Sequence, residues 1–433
     1  MKHTVERIQL DNGAQGLLIH IPDATVMSFD FNFRAGEYLS ERSKWETAHL
    51  MEHILLGANE LIPSANAFHA EFEKNGAYNN ASTSSYDISY EAECADFEWD
   101  RILGLLLTAI TKPLFLKSEF DAEYGNVREE LTARSNNHFR HLGLATREKF
   151  GFLAITDQER LNLMENVKLQ DVIDHYKATH NASNLRFIIA GKLTKPRKNN
   201  IKKLLGNIEL PQGSGRTSLP DEIPTNYDKP LRIENDTIEN IYFYIDTFRI
   251  GKLDDKEHDN LSLINSMLTE TLYSMILGTA REKGLVYSMS SGISQSKNTA
   301  NWWFGAQISP KNAPQLFDII VDKLTDVFSG TITNADIDAA KQYALGKYQR
   351  SGQTVGGTAN GYAYRYFFDD AVEDYYQIPE RIAAITQEDI IKVAKSMFAD
   401  NVWGLGILGN VSNKFLRELN STISPLWGKN SRF

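Results

Sequence analysis

Cysteine is nearly missing from this chain: Cys94 is the only one in 433 residues. No intramolecular disulfide can form, and a zinc site built from several thiolates is excluded. The near-absence also suits a reducing compartment. Long apolar runs are missing as well. No stretch approaches the roughly 18–20 uncharged residues that a membrane-spanning helix needs. The opening MKHTVERIQLDNG has neither the apolar core of a secretory signal nor the Arg/Ser-rich character of a transit peptide. The expectation is a cytoplasmic protein without a membrane span. A basic surplus is lacking too, with 46 Lys and Arg against 56 Asp and Glu for a net charge of −10. Little is left over to neutralise a phosphate backbone, so no nucleic-acid partner is expected. A G-x-x-x-x-G-K-[ST] loop is also absent, which argues against nucleotide hydrolysis.

What is present reads as a globular chain, 42% hydrophobic and 24% charged, and too long for a single core. It repeats itself. DVIDHYKATHNASNLRFIIAGKL (171–193) and DIIKVAKSMFADNVWGLGILGNV (389–411) share an amphipathic helix, a polar break, an apolar strand and a glycine. Asp171 matches Asp389, Lys177 matches Lys395, Ile189 matches Ile407 and Gly191 matches Gly409, each 218 residues apart (389 − 171 = 218). That offset is about half the chain, which points to a duplicated domain. Between the halves, LPQGSGRTSLPDEIPTNYDKP (210–230) has the Gly/Ser/Pro/Asp content of a linker. The expected domains are therefore 1–209 and 231–433. Each half opens on alternating strands (AQGLLIHIP and VMSFDFNFR; PLRIEN and NIYFYIDTF) and continues with helices such as 101–111 and 312–328. The fold class expected is α+β, two similar α/β sandwich domains.

The chemistry gathers in SKWETAHLMEHILLGAN (43–59). Ser43 and Glu46 fit an S-x-x-E capping box, and Gly57-Ala58-Asn59 fits a helix end. On that helix His49 and His53 share a face, with Glu52 beside them, while Trp45, Ala48, Met51 and Leu55 pack inward. Two imidazoles at i, i+4 suit zinc, and a neighbouring carboxylate suits a base for a metal-activated water. The pentapeptide is short enough to arise by chance, so two ordinary histidines near a glutamate stay possible at this point. SEFDAEYGNVREELTARSNN (118–137) is a second helical stretch, with Ser118 at its N-cap. Glu123, Val127 and Glu130 fall nearly on one stripe, and Glu129 points elsewhere. The other histidines, among them His69, His138, His141, His175 and His180, lack helical spacing to the motif and read as surface or structural residues.

The H-x-x-E-H string resembles the inverted zinc motif of the pitrilysin-like, or inverzincin, metallopeptidases. That family places a glutamate ligand 77 residues after the second histidine, and here 130 − 53 = 77. The resemblance implies His49, His53 and Glu130 as ligands of one Zn²⁺ per chain, Glu52 as general base, and Glu123 as a residue that orients a ligand. It also matches Asn80, Ala81 and Thr83, with Ser82 between them, to the family's Asn-Ala-x-Thr edge strand, which holds substrate by strand addition. REKGLVYS (281–288) resembles its R-E-x-x-G-L-x-Y segment, which implies that Arg281 and Tyr287 reach the substrate or the tetrahedral intermediate. The second half has no H-x-x-E-H, and its helical stretch 260–278 holds no histidine. By resemblance it is a duplicate that has lost the metal. Short family members pair two chains into a closed chamber. The resemblance thus implies a homodimer, or a heterodimer with a homologous subunit lacking the zinc motif, acting on peptides or unfolded segments. A non-catalytic, peptide-holding subunit is the alternative from another class.

Overall fold

The computed structural model describes residues 1–427 apart from Asp228 and Asp400. Asp228 of the expected linker, and Asp400 with residues 428–433 of the expected second half, lie outside the described residues. Among the described residues, strands form two sheets. The first holds β1 (Thr4–Gln9), β2 (Gln15–His20), β3 (Val26–Phe33), β4 (Tyr78–Thr83), β5 (Ile88–Ala95) and β6 (Leu185–Gly191), in the order β1-β2-β6-β3-β5-β4. The second holds β7 (Leu231–Ile233), β8 (Ile241–Ile250), β9 (Ser290–Gln295), β10 (Thr299–Ile308) and β11 (Val402–Leu408), in the order β7-β11-β8-β10-β9. Without β1 the two orders are the same. In each sheet the last strand in sequence enters the middle, parallel to the first of the common set (β6 to β2, β11 to β7) and antiparallel to the next. A strand flanked on both sides and covered on both faces must be apolar throughout, and LRFIIAG of β6 is buried at every position. The α+β class and the two-domain duplication are as expected.

The repeat shows at atomic detail where each central strand ends. Gly191 closes β6 with φ 143° and Gly409 closes β11 with φ 144°. A side chain there would be strained, and it would also strike Met27 in one sheet and Ile241 in the other. The flanking helices keep the same spacing: Leu169–Thr179 with Gln387–Phe398, and Lys195–Gly206 with Asn413–Ile423.

By contact, the chain divides into two compact units whose segments alternate along the sequence. One comprises Met1–Thr132, Gln158–Pro220 and Gln349–Tyr375; the other comprises Ala133–Asp157, Asp221–Tyr348 and Tyr376–Phe433. A single cut at 210–230 does not describe this arrangement, because each unit takes a helix from the opposite half of the sequence. The Val355–Asp369 helix lies against β3 and β6, whereas the His138–Lys149 helix lies against β7, β8 and β11. At the end of the first of these helices, Arg34 and Arg216 donate to the carbonyls of Phe368 and Phe367, and Arg186 pairs with Asp370. Cations there meet the negative end of the helix dipole.

Two local expectations are corrected. The stretch 260–278 is not one helix: Asp255–Asn265 passes into a π turn at Ser266–Glu270, and a new helix begins at Leu277. Thr269 and Ser274 bond backbone carbonyls, and Thr271 accepts from the N–H of Tyr273, offering the backbone alternatives to the helical ladder. Second, Ser118 is not an N-cap, since the helix Lys117–Ser135 starts one residue earlier.

Candidate metal centre

The helix Thr47–Leu55 buries Ala48, Leu50, Met51, Ile54 and Leu55 in the core of the first unit. This packing turns His49, Glu52 and His53 toward the helix Lys117–Ser135. That second helix is anchored by Phe120, Val127 and Leu131, and Glu123 and Glu130 are left half-buried while Glu129 stays exposed. Glu130 Oε2 lies 3.3 Å from His49 Nε2 and 3.5 Å from His53 Nε2. Ligand atoms around a tetrahedral ion with bonds of about 2.0–2.1 Å stand about 3.3–3.4 Å apart, so this spacing fits zinc. Among the described residues, His49, His53 and Glu130 are the one group of three or more such side chains close enough to share an ion.

The far nitrogens of the imidazoles are also engaged. His53 Nδ1 lies 2.8 Å from Glu123 Oε2, and His49 Nδ1 lies 2.9 Å from Glu46 Oε2. Carboxylates only accept, so each Nδ1 carries the proton and each Nε2 offers its lone pair toward Glu130. This is the tautomer that a metal needs. Burial works against a charged imidazolium at His53, but Glu123 and Glu130 outweigh it and carry its pKa up to about 9. His49 is raised for the same reason by Glu130 and Glu46. The bond from His53 is the main cause of the lowered pKa of Glu123.

Glu46 is where sequence reasoning failed. It was expected to cap the helix with Ser43, yet it makes no side-chain cap, and the Ser43 hydroxyl turns to Glu41. Glu46 is wholly buried, held by Arg160 through Nε at 2.5 Å and Nη2 at 3.0 Å. Burial alone would raise its pKa, but His49 and Arg160 more than offset this and hold it at about 2. The i, i+3 spacing of Glu46 and His49 was a visible signal. Arg160, 114 residues further on, left none.

Glu52 is half-buried and accepts a hydrogen bond of 2.8 Å from the Thr83 hydroxyl. Thr83 ends β4, an edge strand that pairs with β5, Asn80 opposite Glu91 and Ser82 opposite Ser89. Ala81 packs against the core, while Asn80 and Ser82 are exposed. Arg281 and Tyr287 belong to the second unit, where the guanidinium lies 4.9 Å above the tyrosine ring and bonds its backbone carbonyl. Tyr287 is 84% exposed. Of the remaining histidines, His180 is buried against Phe33 and Tyr90, and His175 bonds the Ala35 carbonyl. His69 is half-buried, and its charge bears on Glu123.

A duplicated α/β fold in which one half presents H-x-x-E-H opposite a glutamate-bearing helix defines the class of the inverted-motif peptidase fold. Comparison with known proteins agrees: residues 31–151 match the insulinase domain of peptidase family M16, and residues 166–343 match the M16 inactive domain. The chain belongs to this pitrilysin-like family of peptidases. Curated relatives include the insulin-degrading enzyme of Drosophila melanogaster, 24% identical over 195 residues, and insulin-degrading enzyme-like 2 of Arabidopsis thaliana, 30% identical over 89 residues. These alignments cover 43% and 21% of this chain, but only 20% and 9% of the relatives' lengths. Among solved structures, a protease from Helicobacter pylori (18% identity) and a peptidase M16 inactive domain from Pseudomonas fluorescens (15%) each superpose with a TM-score of 0.83. Each covers 94% of this chain, and the match takes in 100% and 98% of those chains. Among the described residues no helix is long and apolar enough to cross a membrane.

Proposed function

We propose that the protein is a zinc-dependent endopeptidase acting on peptides or unfolded segments. The observation that carries this reading is the convergence of His49 Nε2, His53 Nε2 and Glu130 Oε2, with Glu52 on the same helix as both histidines. A zinc ion held there supplies Lewis-acid polarisation of a carbonyl and a water acidified toward neutral pH. Glu52 takes the proton of the attacking water and hands it to the leaving amine, with the Thr83 hydroxyl steadying its carboxylate. An extended peptide adds to the free edge of β4 along Asn80, Ala81, Ser82 and Thr83, bound through its backbone and so with little regard to side chains. By the family resemblance, Arg281 and Tyr287 meet the substrate or the developing oxyanion.

The assembly proposed is a homodimer, with a heterodimer including a metal-free homologue as the variant form. A peptide-holding, non-catalytic role has one observation in its favour, the match of residues 166–343 to the inactive domain. The complete His-His-Glu set and its intact base favour catalysis. Digestion of an unstructured peptide library by the purified chain, with Glu52→Gln as control, tests the proposal. Cleavage by wild type alone is expected, and no cleavage by either with zinc bound would leave the holding role.

A further inference from the structure

His49 and His53 are supported unequally. Glu123, behind His53, is half-exposed, and its Oε2 also accepts from Asn126 at 3.2 Å. Glu46, behind His49, has no exposed surface, and Arg160, which grips it, is 2% exposed. Both oxygens of Glu46 are used: Oε1 accepts from Arg160 Nε, while Oε2 is shared by Arg160 Nη2 and His49 Nδ1. Arg160 is fixed in turn by Glu37, whose Oε1 lies 2.7 Å from Nη2. Four side chains therefore form one buried line, Glu37–Arg160–Glu46–His49, ending 3.3 Å from Glu130. A two-pronged guanidinium grip fixes the plane of a carboxylate as well as its position. With His49 neutral, the line carries two negative charges and one positive. This net negative charge, shielded from water, lies behind a nitrogen that faces a cation site.

We infer that Glu46, clamped by Arg160, is a positioning residue that fixes the ring plane and tautomer of His49 and thereby sets how tightly the metal is held. The inference rests on the reading of His49 as a metal ligand. An anionic acceptor on Nδ1–H makes Nε2 more basic and stops the ring from turning, and both effects favour the metal-bound form. The contribution of His49 is preset by the fold, whereas that of His53 depends on a carboxylate that water reaches.

The test is zinc affinity of the full-length protein, measured by competition with a chromophoric chelator. Wild type is expected to bind one zinc. Glu46→Gln should weaken binding by roughly 10–100-fold, while Glu37→Gln, two steps back along the line, should change it by less than about 3-fold. Ring ¹⁵N spectra of the zinc-loaded protein provide a readout that a merely structural role would not move: the Nδ1–H signal of His49 should shift in Glu46→Gln and that of His53 should not. If Glu46→Gln fails to fold, Arg160→Lys carries the test, since it keeps the charge and removes the two-pronged grip; several-fold weaker binding is expected. Wild-type affinity in whichever of these two variants folds would overturn the positioning role with the metal site intact. No zinc bound by wild type would instead overturn the metal site, and the inference with it.

Discussion

At the scale of single residues, the candidate site separates groups that hold from a group that reacts. Glu52 reaches Thr83 rather than either imidazole nitrogen, so Glu52→Gln should leave zinc content and melting temperature unchanged while turnover falls about 10²–10⁴-fold, read by peptide cleavage. Another buried acid tests the electrostatics away from the site. Asp246 is wholly buried in the second unit, with Oδ1 accepting from Asn301 at 2.9 Å and Oδ2 unpartnered. Burial raises its pKa to about 8 from 3.8. Between those values the unfolded chain has released a proton that the folded chain keeps, so stability falls as pH rises through this window, by at most about 1.4 kcal/mol per pH unit. Asp246→Asn should therefore raise the melting temperature at pH 8 and gain much less at pH 4. The opposite trend in a calorimetric pH series would mean that Asp246 is ionised in the fold. The His49, His53 and Glu130 set was legible because i, i+4 spacing survives in a linear string and the 77-residue interval matches a known family. The line through Arg160 was not legible, since a contact across 114 residues depends on how helices pack.

At the scale of elements, duplication was readable because the same helix-strand-glycine unit recurs at an offset of 218, and the two sheets repeat one strand order. Gly191→Ala and Gly409→Ala should each destabilise by about 1–3 kcal/mol, since both sit at φ near 143–144°. Equal denaturation midpoints for mutants and wild type would remove the claim that both strands need this turn. The duplicate also shows how a metal site is lost. The helix Asn334–Ser351 occupies the place of Lys117–Ser135 at an offset of 217, with Lys347 where Glu130 stands and Ala340 where Glu123 stands. Lys347 pairs with Glu270 at 2.7 Å, an ammonium in place of a carboxylate ligand. What the sequence hid here was the break after Glu270. Its apolar spacing reads as helical, and the competing Thr and Ser hydrogen bonds become visible only in three dimensions.

At the scale of the whole molecule, the exchange of helices between sequence halves was beyond linear reading, because nothing in GGTANGYAYRYFFDD assigns it to a sheet more than 160 residues away. Residues 1–220 expressed alone should therefore be unstable. They lack Val355, Ala359, Tyr362, Tyr366 and Phe367, all buried on a helix that lies against β3 and β6. A peptide of residues 349–375 added in trans should restore a cooperative thermal transition; a stable 1–220 fragment without it would contradict this division. The unequal halves also set the metal count, since one presents three ligands and the other presents Lys347. The most direct test is the metal content of the purified 49.0 kDa chain. The account predicts one zinc per chain in wild type and in Glu52→Gln, and close to none in His49→Ala, His53→Ala and Glu130→Gln. Equal zinc in wild type and all three ligand variants, or none in wild type after zinc loading, would contradict it.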